Sequence, residues 1–411
     1  MRRRLTPIER IMWTLGERTP VAGAVSARIR GRRTHDELRA ALEAVRRRHP
    51  MLAIRVTGAG PMNAWITTDD VPELPLTVAE PPWEAAVAAE LRKPFDAATG
   101  PLTRFVVVES DDFFDLAVVC HHVVGDGLAL TYVIRDIVAH LADRLADPGQ
   151  PVEAVAAPPM HDLVKALPKP PKGEPVKQSG SSWPVRPRTA AADFTLLSWE
   201  LAAAEGAALP ERCRAEQTSI HAALGLAGLR AMADLDGDTR RQIYSPVNMR
   251  GLLPGLPEGA CGNYAVELFT WFDVTDDGEF WTAARRLKQT LRRQTAPERL
   301  LRQVRLLSLM DVLPNAVLGG LLRVSCKPYP SLSFSNLGRV PFPAGHGDLR
   351  IEAIHPVAHM GTLSSGLLAA ATVDDRICLT MSTTEPDRAA AEKLMSGLLD
   401  HVRAAVAHRP A

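Results

Sequence analysis

Cys120-His121-His122-Val123-Val124-Gly125-Asp126-Gly127 is the stretch whose reading decides the rest of this chain. The run before it, Phe113 to Cys120, is rich in Phe, Leu and Val and reads as a buried strand. After it, Leu130, Val133, Ile134, Ile137, Val138 and Leu141 recur at helical spacing, so Leu128 to Leu145 reads as a helix with one buried face. The two histidines thus stand at a strand-to-helix turn, where Gly125 and Gly127 permit tight backbone. The helix start turns free N–H groups and the positive end of its dipole toward that turn.

A neutral imidazole, with an ordinary pKa of about 6.5, takes a proton from an alcohol or amine at neutral pH. Side chains alternate along a strand, so adjacent histidines face opposite ways. One points into a reaction space and the other into the protein. Asp126 is close enough in sequence to bond an imidazole or to hold the turn shut. A structural histidine pair at a strand end is the plain alternative. The strand–turn–helix setting and the Asp-Gly at fixed spacing favour chemistry.

Composition sets the bounds. The chain has 411 residues, 46% hydrophobic and 23% charged, which fits a globular protein of two domains. A net charge of +1 gives no bulk electrostatic case for nucleic acid or an anionic membrane. Arg2-Arg3-Arg4 is followed by no apolar segment of the signal-peptide kind, and no run approaches the roughly 18 apolar residues of a membrane helix. Cys120, Cys213, Cys261, Cys326 and Cys378 are scattered and odd in number, which suggests a reducing cytoplasm rather than a disulfide framework or zinc site. His355 and His359 stand four apart, but in a segment read as strand and loop, so no metal is expected there.

Along the chain, Thr6-Pro7-Ile8-Glu9 and Thr34-His35-Asp36-Glu37 are capping boxes that open helices. Strands are expected at 21–30, 53–56, 64–67, 103–109 and 113–120, with a helix at 83–92. Residues 147–192 hold about ten of the 33 prolines, with Lys, Gly and Ser, and read as an extended linker with a docking turn at Met160 to Leu167. It separates residues 1–146 from 193–411. The second part reads as strand 194–201, helix 221–232, strand 242–247, a long strand to Val274 and helices at 279–294 and 297–310. A strand at 331–335, a hairpin at 367–383 and a final helix from Pro386 to about Val406 complete it.

His-His-x-x-x-Asp-Gly after a strand resembles the signature of the condensation-domain and polyketide-associated acyltransferase superfamily. Pro246-Val247-Asn248-Met249-Arg250, then Gly262-Asn263, resembles its second-half pattern, and Ser333 to Arg339 its Ser-Asn-Leu-Gly stretch. Asp-Phe-Gly-Trp-Gly, carried by peptide-forming condensation domains, is absent. Ile220-His221 stands where wax-ester synthases carry Asn-Asp. Both departures shift weight toward stand-alone acyltransferases.

The resemblance implies an α/β fold of two chloramphenicol-acetyltransferase-like subdomains, forming a V-shaped pseudo-dimer with a central channel. It implies acyl transfer from a thioester, on coenzyme A or on the phosphopantetheine arm of a carrier protein, to an alcohol or amine. His122 is then the general base, with His121, Asp126 and Gly127 shaping the turn. Arg250 pairs with Asp126 as structural support. Asn263, Arg292, Ser335 and Asn336 are expected in the channel. No tightly bound cofactor and no metal is expected, and the protein is expected to be a cytoplasmic monomer of lipid, polyketide or nonribosomal peptide metabolism. A free-standing amide-forming condensation enzyme and a non-catalytic carrier-protein-binding module are the alternatives.

Overall fold

The computed structural model describes residues 1–16, 20–58, 60, 64–143, 153–170, 194–274, 279–325, 332–359, 366–383 and 388–407. Two six-stranded sheets organise it. The first runs in the order Gly345–His346, Leu349–His359, Ala22–Arg30, Phe113–His121, Thr103–Glu109, Leu76–Ala79. The second runs Ala265–Asp273, Arg240–Asn248, Leu332–Arg339, Gly366–Val373, Arg376–Thr383, Thr195–Glu200. Both sheets are mixed: Leu76–Ala79 lies parallel to its neighbour, and Leu332–Arg339 lies parallel to both of its own.

Phe113–His121 is paired on both sides and all its residues but Phe113 are buried, as its unbroken apolar run requires. Helices His35–Arg48 and Gly127–Asp143 cover one face of the first sheet, and Trp83–Arg92 the other. Thr34 caps the first of these with a full capping box. In the second lobe Ile220–Asp236 lies between Phe280–Gln294 and Arg388–Ala407. Each lobe has its own apolar core.

Leu349–His359 belongs to the second half of the chain yet completes the first sheet, His359 opposite Ala22 and Val357 opposite Ala24. Its carbonyls also receive side chains from the second sheet: Ser382 Oγ donates to Ala358 O at 2.7 Å, and Thr380 Oγ1 donates to Pro356 O. The lobes are thereby bonded through one strand.

The expected linker is only partly described, since 147–152 and 171–192 lie outside the described residues, as does Cys326. Within 153–170 the chain is not extended throughout. Met160–Ala166 is a helix with Met160, His161 and Val164 buried, and Arg305 holds the carbonyls of Val164, Leu167 and Pro168. Two further helices escaped the sequence reading, Ala203–Ala215 and Asn315–Ser325, as did the strands Arg2–Arg4 and Leu76–Ala79. Among the described residues, no helix is long and apolar enough to cross a membrane.

Candidate active site

The motif strand ends where its neighbours end. His121 N donates to Leu102 O at 3.0 Å, and His122 N to Val21 O at 3.1 Å. Strand alternation then separates the two rings. His121 is buried, its ring 6.1 Å from that of Trp13 and 6.4 Å from that of Phe95. Its Nδ1 accepts from Val123 N–H at 3.2 Å, which assigns the ring proton to Nε2. Burial, with His122 beside it, lowers its pKa to about 3, so this ring is neutral. The same atom, Nε2, lies so close to Gly16 that a Cβ there would clash with it.

His122 turns the other way and lines a cavity of about 150 Å³ between the lobes. Its ring lies on Gly23, where a Cβ would stand 2.9 Å from Cε1. Burial lowers its pKa, while a hydrogen bond to the Gly125 backbone and the charge of Asp126 raise it, and burial wins. The His122 ring is therefore neutral at physiological pH.

Asp126 holds the turn. Its Oδ1 accepts from Ala129 N at 2.9 Å, capping helix Gly127–Asp143. Arg250 meets it in a two-pronged pair, Nη1 to Oδ2 at 2.9 Å and Nη2 to Oδ1 at 3.0 Å. Tyr264 N adds a bond to Oδ2 at 2.8 Å. One carboxylate thus ties the motif turn to Arg250 and to the segment after Gly262. The guanidinium also lies over the Tyr264 ring, 4.8 Å from its centre. Gly127 faces Leu337, 3.2 Å from where a Cβ would sit, so a side chain on the first helical residue would require the Leu337 methyl to give by a few tenths of an ångström.

Both lobes contribute to the cavity wall. Gly127 and Leu128 stand at the helix start, and Tyr244, Pro246 and Asn248 come from the second sheet. Of the residues expected there from sequence, Asn263, Ser335 and Asn336 line it. Asn263 also works locally: Nδ2 donates to His122 O at 3.4 Å and Oδ1 accepts from Ala265 N at 3.2 Å. Asn336 Oδ1 accepts from Gly338 N at 2.8 Å, where the strand pairing shifts register and Gly338 takes φ +73°.

Arg292 is a correction. It is exposed, in the last turn of Phe280–Gln294, and is no part of the cavity wall. The buried stripe of that helix runs through Trp281, Ala284, Leu287 and Leu291, and the residue after Leu291 is rotated to solvent. His355 and His359 do not act as a pair either. His359 stacks on Phe194, centres 4.4 Å apart, while His355 packs on Trp83 and lies near Glu200 and Cys378, with ligand atoms within 4.8 Å of one another. Arg376 bonds that Glu200 at 2.7 Å.

Tyr244, Glu267 and Gly23 were missed in the sequence. Glu267 carried a signal: an acid two residues into an apolar strand, on the same face as Ala265 just after Gly262-Asn263. Cys120 and Cys261 are fully buried, and burial pushes the Cys120 thiol far above its ordinary pKa, so it is a core residue rather than a nucleophile.

Two bonded lobes, each a mixed sheet backed by helices, with a histidine turn between them, define a chloramphenicol-acetyltransferase-like fold. The chain carries the fold of the condensation-domain and polyketide-associated acyltransferase superfamily. Residues 191–384 match the family model described as the phthiocerol/phthiodiolone dimycocerosyl transferase C-terminus. Polyketide synthase associated protein 5 from Mycobacterium tuberculosis is similar over 98% of this chain and 97% of its own, at 14% identity and a TM-score of 0.68. The trichothecene 15-O-acetyltransferase from Fusarium sporotrichioides is similar over 98% and 94%, at 13% identity and a TM-score of 0.72. The epimerization domain from the third module of tyrocidine synthetase B is similar over 99% and 96%, at 14% identity and a TM-score of 0.71. No curated protein sequence matches the chain.

Proposed function

We propose that the protein transfers an acyl group from a thioester, on coenzyme A or a carrier protein's phosphopantetheine arm, to an alcohol or amine. The observation that carries this is His122: a neutral imidazole on the wall of an inter-lobe cavity, at a turn locked by Asp126 and Arg250. In the reaction His122 takes the proton of the acceptor's O–H or N–H as that atom attacks the thioester carbonyl. The tetrahedral oxyanion collapses, the C–S bond breaks, and the thiolate leaves with the proton from His122. The amides that open helix Gly127–Asp143 are suited to the oxyanion. Asp126 has its acceptor sites filled by Arg250, Ala129 and Tyr264, so it orients the turn and takes no part in proton transfer.

Direct transfer is the expected route, since the motif holds no exposed nucleophile. The test uses octanoyl-coenzyme A and an octanoyl carrier protein, each with 1-octanol and with octylamine. Ester or amide product, free thiol released in equal amount, and an unmodified enzyme mass without acceptor are expected. A stoichiometric acyl adduct, or thioester consumption that yields only free acid, would overturn this reading.

A further inference from the structure

Strand Ala265–Asp273 leaves the site in a fixed direction. Asn263, just before it, bonds the His122 carbonyl, and Ala265 and Glu267 line the cavity from one face. At about 3.3 Å per residue, Glu267 stands roughly 13 Å along the chain from Asn263. Its position is pinned from behind, because Gln303 Nε2 donates to its carbonyl at 2.8 Å. In front, the Tyr244 hydroxyl donates to its carboxylate, and Tyr244 lines the same cavity.

The charge balance of that cavity is uneven. Asp126 and Arg250 neutralise each other, and His122 is neutral. Among the described residues Glu267 has no cationic partner: only burial and the Tyr244 bond act on its carboxyl, and burial wins, raising its pKa. Elsewhere much of the wall is apolar, including Met12, Leu128, Leu337 and Leu367. An acid set in such a wall costs free energy unless a ligand supplies the missing positive charge and hydrogen bonds. Few convergent polar groups in an apolar cavity are also what fix a ligand's orientation.

We propose, resting on the acyl-transfer reading above, that Glu267 and Tyr244 form an acceptor subsite for a primary ammonium group. The acceptor class is then a molecule with a basic nitrogen separated by a medium-length apolar spacer from the hydroxyl or amine that reacts at His122. The ammonium donates to the Glu267 carboxylate and meets the Tyr244 hydroxyl, and the spacer lies along the apolar wall.

The test is binding, so that it does not depend on turnover. Octylammonium chloride and 1-octanol are titrated calorimetrically at pH 7.5 into the wild type, Glu267→Gln and His122→Ala. The wild type is expected to bind octylammonium at least about tenfold tighter than 1-octanol, as a charge-assisted pair in an apolar wall allows. Glu267→Gln is expected to erase that preference and leave 1-octanol binding within twofold. His122→Ala is expected to keep it. Equal affinities in the wild type overturn the subsite whatever the variants do, and so does a preference that survives Glu267→Gln. Should the preference hold while His122→Ala turns over thioester normally, the subsite stands and the general-base reading fails. Should Glu267→Gln not fold, Tyr244→Phe replaces it, with a partial loss of preference supporting the subsite and an undiminished one counting against it.

Discussion

Asp126→Ala removes more than a charge. The carboxylate accepts four bonds, two from Arg250 and one each from the Ala129 and Tyr264 amides, at 2.8 to 3.0 Å. Both partners are nearly buried, with 13% of the Arg250 side chain and 12% of the Asp126 side chain exposed. Removing one member of a buried pair costs about 3–5 kcal/mol. Two observations push Asp126→Ala to the lower part of that range: Arg250 keeps Asn248 Oδ1 at 3.3 Å and Gly262 O at 3.4 Å. We therefore expect a loss of about 3 kcal/mol, of which the orphaned helix cap contributes about 1. Arg250→Ala should cost less, about 2 kcal/mol, because the bared carboxylate keeps two amides and the positive end of a helix. Urea melts of both single variants and the double variant form the cycle. A coupling of about 1–3 kcal/mol is expected for groups in direct contact. Additive losses, or a larger loss for Arg250→Ala than for Asp126→Ala, would refute the lock.

Gly23→Ala places a methyl 2.9 Å from His122 Cε1, so the ring must move by a few tenths of an ångström; kcat should fall about 10- to 100-fold with little change in melting temperature, and an unaltered kcat would show that the ring position is not critical. Because burial lowers the His122 pKa, the acid limb of kcat/KM should lie below pH 6.5. A limb near pH 7.5 would contradict a neutral buried base. Stability should also fall with acid. Burial, with Arg28 and Arg376, takes His355 down to about 3, and burial takes His221 to about 4. Below about pH 6.5 the unfolded chain binds protons that the folded chain refuses, so stability present above that pH is lost on acidification until the folded pKa is reached, at up to about 1.4 kcal/mol per pH unit for each histidine. His355→Phe should narrow the difference between urea midpoints at pH 7 and pH 5, and an unchanged difference would place a charged His355 in the native state.

Local pattern in the sequence encodes much of the architecture. The apolar run Phe113 to Cys120, the capping box at Thr34 and the glycines around Asp126 each write their structure in adjacent residues. Ala203–Ala215 was missed for the opposite reason: it is alanine-rich, has no apolar stripe and contains Pro210. The pairing of Leu349–His359 with Ala22–Arg30 joins residues more than three hundred apart, which no local periodicity encodes. The Asp126–Arg250 pair was legible because a buried acid demands a cation and the resemblance pointed to one. Arg292 was expected in the channel from the resemblance, and the rotation of helix Phe280–Gln294 carries it to solvent. Gly23 was invisible because its role is to be small beneath a ring from another strand.

Whether His122 is the base is decided by turnover in His122→Ala. Thioester consumption and ester or amide product would be followed beside a thermal melt of the same preparation. A loss of about 10²–10⁴-fold in kcat with an unchanged melting temperature is expected, since His122 faces a cavity rather than a core. Turnover within a few-fold of the wild type in a folded His122→Ala protein would contradict it.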